Sequence, residues 1–216
     1  MVRLIMLRHG ETKWNRDGLF RGRRDVELNE TGLAQAEAAA RAIWPWLVLP
    51  LTPAKIISSP LARASATAQA LQTVSGLPMS TDEGLSDLDY GALEGCTVEE
   101  AEKRFPGVYL TWRADPAAVV FPGGESLQEA AGRIETFLAR EFLTLKEGCV
   151  IAVSHRVPIK LMIMSLLGLP LSAFWRLRVD NASISVAEHD GKGLPVLVSM
   201  NDTNHLKLQP PVTKDF

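Results

Sequence analysis

Two histidines in this chain directly follow apolar runs, and each has an arginine as its neighbour. The first run, Val2 to Leu7, leads into Arg8-His9-Gly10-Glu11-Thr12, and the second, Cys149 to Ser154, leads into His155-Arg156. A strand-terminal histidine taken alone is more often structural than chemical, and a tripeptide is a weak signal. The adjacent arginine changes the weighing, because guanidinium offers a planar fork of donors suited to phosphate oxygens. A third candidate is Arg63, within Ser58-Ser59-Pro60-Leu61-Ala62-Arg63-Ala64. It is read as a partly exposed residue in the first turn of a helix. A cation there opposes the helix dipole unless an anion offsets it, and a bound phosphate would do so. A fourth piece, Leu85-Ser86-Asp87-Leu88-Asp89-Tyr90-Gly91-Ala92-Leu93-Glu94-Gly95, crowds three carboxylates into a turn-rich stretch. Such stretches are usually solvated loops.

The elements that must carry these residues follow from pattern. Val2–Leu7 is almost continuously apolar, as expected of a strand buried on both faces of a parallel sheet. Residues 15–29 read as a polar, Gly-rich loop. Thr31 is the expected N-cap of an Ala-rich helix from about Gly32 to Trp44, stopped by Pro45. Lys55–Ser58 is a second strand, and Pro60 is expected at the first position of a helix running from Leu61 to Val74 and closing at Gly76. Residues 77–95 are assigned no regular structure. Thr97–Phe105 is a short helix with Glu99 and Glu100 in its first turn, and 109–113 adds another helical turn. Ser126, with Glu129 three positions on as a capping box, opens a long helix to about Leu145. Cys149–Ser154 is the clearest buried strand. It leads through His155 into a helix that ends near Leu167, before Gly168 and Pro170. Late strands are expected at 182–188 and 195–200. This alternation predicts an α/β fold, a three-layer αβα sandwich with a mostly parallel central sheet, in a single domain spanning 1–216. In such sheets a ligand sits beyond the carboxyl ends of the strands. His9, Arg63 and His155 all fall there.

With those motifs in order, the chain resembles the histidine phosphatase superfamily, in its phosphoglycerate mutase-like, broad-specificity phosphatase branch. The resemblance rests on Arg8-His9-Gly10-Glu11-Thr12 with Trp14-Asn15, on Gly22, Asp25, Leu28 and Gly32, and on Ser59-Pro60-Leu61 with Arg63-Ala64. It continues through the Leu85–Gly95 block, Gly123-Gly124-Glu125-Ser126 and Ser154-His155, and so covers nearly the whole chain. It implies that His9 is the nucleophile and becomes phosphohistidine, and that Arg8, Arg63 and His155 hold the phosphoryl oxygens. It also implies that an acidic residue of the Leu85–Gly95 block protonates the leaving group. The chemistry agrees. A nucleophilic imidazole must be neutral, and nearby Arg8 and Arg63 lower its pKa. Phosphoryl transfer mainly needs charge neutralisation, which arginines supply without a metal. The family's proton donor is usually glutamate, whereas this chain has Asp87, shorter by roughly 1.5 Å of reach. Asp87 is the expected donor. Asp89 is the second candidate and otherwise a substrate contact, and Glu94 is read as structural. Asn15, Arg21 and Gly22 carry over as substrate-binding residues. His205 is read as structural.

Bulk composition adds boundaries. With 216 residues, 46% hydrophobic and 22% charged, the chain is ordinary globular material. A net charge of -2 gives no hint of nucleic acid or a membrane surface as partner. The N-terminal apolar run is too short for a signal peptide. Cys96 and Cys149 form no C-x-x-C pair and read as free thiols, so a cytoplasmic location is expected. The four histidines show no H-x-H or H-E-x-x-H spacing, so neither a metal nor another cofactor is expected. The predicted activity is hydrolysis of small phosphate monoesters through phosphohistidine. The alternatives are a phosphoglycerate mutase-type phosphoryl transferase and, less favoured, a catalytically weak binding module. Only Cys96 to Gly124 separates the acidic block from Glu125, where mutases carry a longer insertion, and an open site admits water. The partner expected is a small phosphate ester. No basic cluster or aromatic pair is evident that would single out which one. A homodimer is allowed for but not specified.

Overall fold

The computed structural model describes residues 1–48, 54–191 and 194–206, with the side chains of 46–48 left aside. Strand β1 (Val2–Arg8) is followed by α1 (Lys13–Asp17) and α2 (Glu30–Val48). Next come β2 (Ala54–Ser58), α3 (Ala62–Ser75) and β3 (Met79–Thr81). Helices α4 (Val98–Arg104), α5 (Val108–Ala114) and α6 (Leu127–Leu138) lead to β4 (Gly148–Ser154) and α7 (Arg156–Leu167). Strands β5 (Ile184–His189) and β6 (Val196–Asp202) complete the sheet.

The sheet order is β3-β2-β4-β1-β5-β6. The first four strands are parallel, while β5 runs antiparallel to both β1 and β6. Alternate side chains of the central strands explain the unbroken apolar runs. Leu4, Met6, Val150 and Ala152 join one buried cluster with Ile134, Phe137, Met162 and Ile163 of α6 and α7. Ile5, Leu7, Ile151 and Val153 join a second with Ala39, Ala40, Ala64, Ala68 and Leu71 of α2 and α3. Both faces of the sheet are therefore covered, giving the three-layer αβα sandwich with a mostly parallel sheet.

Local departures from the sequence reading have physical causes. Pro45 lies inside α2 and does not stop it. It removes one hydrogen bond near the helix end, after Ala36, Ala39, Ala40 and Ile43 have already buried the helix face. The cap of α2 is Asn29, whose Oδ1 accepts the Gly32 N–H at 2.8 Å, and not Thr31. Pro60 precedes α3 by two residues. The first N–H of α3, on Ala62, is capped from a distant loop by Asp25 Oδ1 at 2.7 Å. The stretch expected to be irregular after Gly76 contains β3, a three-residue edge strand too short to show a period. Residues 13–17, partly expected as loop, form α1, which Thr12 and Asn15 close as a capping box. The capping boxes at Thr97 and Ser126 start α4 and α6, and α6 continues into a π-helical turn over Ala139–Leu143.

Candidate active site

Strand register brings the chemical residues to one level. Arg8 lies opposite Ser154, and Ser58 opposite Val153. The chain leaves β1, β4 and β2 together: the His9 N–H donates to Ser154 O at 2.9 Å and the Ser59 N–H to Val153 O at 2.9 Å. Gly10 permits the exit of β1, because a Cβ there would strike the Gly32 backbone at the start of α2.

His9 is buried, and its Nδ1 lies 2.7 Å from Gly10 O. A carbonyl oxygen only accepts, so Nδ1 carries the proton and Nε2 keeps the lone pair when the ring is neutral. Burial lowers the His9 pKa well below the usual histidine value, and the charges of Arg63 and Arg8 lower it further. The ring of His155 lies 5.0 Å from that of His9, centroid to centroid. His155 is held through Nε2 by Ser59 Oγ at 2.8 Å, and its buried Nδ1 has no hydrogen-bond partner among the described residues. Its pKa is likewise well below the usual value, first through burial and then through Arg63.

The guanidinium groups are fixed from behind. Arg8 Nη1 donates to Val179 O at 2.6 Å. Arg63 is fully buried, which corrects its reading as a partly exposed residue. Its Nη1 donates to Arg24 O at 2.8 Å and its Nη2 to Gly22 O at 2.7 Å, so the loop after α1 wraps the side chain. Gly22 stands at φ +53°, in the left-handed region, and a Cβ there would collide with the Glu94 carboxylate. Arg21 is buried, donates to Leu19 O at 3.1 Å and contributes to lowering the His9 pKa.

The two aspartates part company. Asp87 is buried, with Oδ2 3.4 Å from Arg63 Nη2 and 3.9 Å from His155 Nδ1. Its loop is drawn in by Ser154 Oγ, which donates to Leu85 O at 2.6 Å, and by Arg133, which donates to Gly84 O and Asp87 O. Asp89 instead accepts the Gly91 N–H at 2.8 Å and faces Arg23 at 3.9 Å. Glu94 accepts the Arg23 N–H at 2.7 Å, a structural use. Asn15 Oδ1 is taken by the N–H and hydroxyl of Thr12, while its buried Nδ2 has no described partner. His205 faces Ala182 O at 3.1 Å.

Residues not singled out from sequence complete the frame. Asn181 Nδ2 reaches His9 O at 3.2 Å and Gly10 O at 3.3 Å. Thr67 Oγ1 accepts the Gly10 N–H at 3.2 Å. Ser59 and Arg133 orient His155 and the Asp87 loop. Ser59 lies within a recognised motif, whereas Arg133 and Asn181 carry no local signal for these roles, since the carbonyls they hold at the site lie tens of residues away. Among the described residues, no group of three or more His, Cys, Asp or Glu side chains is arranged to hold a metal ion.

A cluster that gathers a neutral imidazole, two guanidinium groups, a second histidine and a carboxylate at the strand ends is equipped for phosphoryl chemistry. Comparison with known proteins agrees. The chain is 35% identical over 206 residues to phosphoserine phosphatase 1 of Hydrogenobacter thermophilus, covering 95% of each chain. It is 34% identical over 191 residues to a probable phosphoglycerate mutase GpmB of Salmonella choleraesuis, covering 86% of this chain and 84% of that one. A mycobacterial glucosyl-3-phosphoglycerate phosphatase, solved in complex with VO3, superposes with a TM-score of 0.79 at 32% identity, over 93% of this chain and 99% of that one. Residues 4–203 match the family model of the histidine phosphatase superfamily (branch 1), and the chain belongs to that family.

Proposed function

We propose that the protein hydrolyses phosphate monoesters of small metabolites in two in-line steps, with His9 as the nucleophile. The observation that carries this reading is the hydrogen bond from His9 Nδ1 to Gly10 O, in a buried ring whose pKa is lowered. It leaves the Nε2 lone pair to attack phosphorus. Arg8, Arg63 and His155 hold the equatorial oxygens, which spread charge in the transition state. The P–O bond to the leaving group breaks as the N–P bond forms, and Asp87 gives its proton to the departing oxygen. In the second step Asp87 takes a proton from water, which attacks phosphohistidine and frees His9 and phosphate. Arg21, Gly22, Asn15 and Asp89 border the substrate, Gly22 through the backbone that seats Arg63.

Two similar proteins are named as phosphatases of compounds bearing a carboxylate, phosphoserine and glucosyl-3-phosphoglycerate. A small phosphorylated acid is accordingly the favoured substrate class. The similarity to a probable phosphoglycerate mutase keeps transfer to a second hydroxyl as the alternative. We place the protein in the cytoplasm, on its two free, buried cysteines. Among the described residues, no helix is long and apolar enough to cross a membrane.

Rapid-quench labelling tests the reading. A phosphorylated substrate should leave acid-labile phosphate on His9, and His9→Ala should lose both the label and phosphate release. Label on a serine or aspartate would overturn the mechanism. Label released to an added alcohol in preference to water would favour the mutase reading. Activity should persist in excess chelator.

A further inference from the structure

A second pocket, of about 270 Å³, adjoins the phosphate-facing side chains and has no part in the mechanism above. Arg113 of α5, Arg156 and Lys160 of α7, and Trp175, Arg178 and Asp180 from the segment before β5 line it. Four cations thus surround one space with one carboxylate, a cluster invisible in the sequence because its members come from three separate segments.

The site is built. Arg156 and Lys160 lie four residues apart on one face of α7, where like charges repel. Both are almost fully buried, at 5% and 3% exposure. Trp175 is the centrepiece: Arg113 stacks on its ring at 4.3 Å and Lys160 at 4.9 Å, with Arg156 at 5.9 Å. Its indole Nε1 donates to Trp112 O at 2.8 Å, which fixes the ring. Lys160 also lies 4.3 Å over Phe174 and donates to Phe174 O at 3.3 Å. The carboxylate of Asp180 accepts from Arg178 Nε through both oxygens at 2.9 Å. Arg113, Arg156 and Lys160 converge on one indole ring, and the positive field of such a wall draws an anion into the space it encloses.

The pocket touches the phosphate site at two points. Its wall includes Val179, whose carbonyl holds Arg8. Arg156 directly follows His155 and hydrogen-bonds the Tyr90 hydroxyl, three residues beyond Asp87.

We propose that the Trp175 pocket is a second anion site that takes a carboxylate- or phosphate-sized oxyanion distinct from the phosphoryl group on His9. The anion has two sources. One is the non-reacting acidic end of the substrate, and in that form the proposal rests on the phosphatase reading above. The other is a free small anion that acts through Val179 and Arg8.

Sulfate is the probe, and tryptophan emission the readout, in the full-length protein with and without saturating vanadate in the phosphate site. Sulfate should change the emission saturably whether or not vanadate is present, and the change should vanish in Trp175→Phe. The double variant Arg113→Gln/Arg178→Gln alters two exposed side chains, so it should fold, and it should raise the sulfate midpoint at least tenfold. A midpoint unmoved in the double variant, no sulfate response in the native enzyme, or a response abolished by vanadate would each overturn the second site. Kinetics assigns the source. If the substrate supplies the anion, the double variant lowers kcat/KM for phosphoserine relative to p-nitrophenyl phosphate at least tenfold. If a free anion does, sulfate changes kcat for p-nitrophenyl phosphate in the native enzyme, and the double variant blunts that change. Should vanadate neither bind nor inhibit, the phosphatase reading fails, while the sulfate titration still decides the anion site.

Discussion

Three side chains around the proposed phosphoryl position differ in how they are held, and the difference sets what each substitution should do. Arg63 is enclosed by the carbonyls of Gly22 and Arg24 and by Asp87. Arg63→Ala should cost about 3 kcal/mol or more in kcat/KM, the scale of one lost charge-stabilising donor. It should also lower folding stability by on the order of 2 kcal/mol, because buried carbonyls lose their partners. Urea unfolding beside steady-state kinetics checks both, and an unchanged midpoint with normal turnover would remove Arg63 from the site. Asp87 faces His155 and Arg63, whereas Asp89 caps the turn at Gly91. Asp87→Asn should therefore slow alkyl phosphates on the order of a hundredfold or more, and aryl phosphates far less, since a phenolate leaves without a proton. Asp89→Asn should slow both substrate types more mildly and should also lower stability, because the Gly91 turn loses its cap. Greater leaving-group selectivity in the Asp89 variant would reverse the assignment, and equal losses for both substrate types would exclude both aspartates.

Elements matter here through their ends. The carboxyl ends of β1, β2 and β4 deliver His9, Ser59 and His155 side by side. The loop from Arg21 to Asp25 is bound to α3 twice, by its carbonyls on Arg63 and by Asp25 on the Ala62 N–H. Loop and helix start therefore act as one unit, and Gly22 is the point where that unit is sterically tightest. Gly22→Ala forces a side chain into the left-handed region, at roughly 1–2 kcal/mol, and pushes on Glu94, which holds Arg23. The expected result is a fall in kcat of tenfold or more with Arg63 chemically intact. A crystal structure of the variant with an undisturbed loop and native turnover would show that the loop does not seat Arg63. Asp25→Ala should move activity in the same direction, by less, because only a helix cap is lost, worth about 1 kcal/mol.

Across the molecule, acid tolerance follows from the two buried histidines. His9 and His155 have folded pKa values well below 6.5, both chiefly through burial. The unfolded chain therefore binds more protons than the folded one once pH drops under about 6.5. Stability is fully present above that value and declines below it, at up to about 1.4 kcal/mol per pH unit for each histidine, until the folded pKa is reached. Replacing His155 with Gln should flatten the acid side of a stability–pH curve measured by denaturant titration. A slope unchanged in that variant would show that His155 is charged in the fold. For the same reason the acid limb of kcat/KM should lie below pH 6.5, because His9 stays neutral and nucleophilic there.

How much of this was legible in the sequence depends on the range of the interaction concerned. Val2–Leu7 and Cys149–Ser154 declare themselves as strands because a sheet covered on both faces needs side chains that are apolar without alternation. Gly76 and Gly168 mark helix ends by the left-handed φ that only glycine adopts cheaply. The Arg8-His9-Gly10 and Ser154-His155 motifs could be located because the strand end that positions them is adjacent in the chain. Tertiary structure decided everything that depends on distant partners. It set Asp87 beside Arg63 and His155 and Asp89 at the Gly91 turn, since Ser154 and Arg133 pull on the loop at Leu85, Gly84 and Asp87. It buried Arg63 under a loop some forty residues away in sequence. It carried α2 through Pro45, because packing on the sheet outweighs one lost hydrogen bond. It also gathered Arg113, Arg156, Lys160 and Arg178 around Trp175 from three segments, because charge density in a folded protein is set by distance in space and not along the chain.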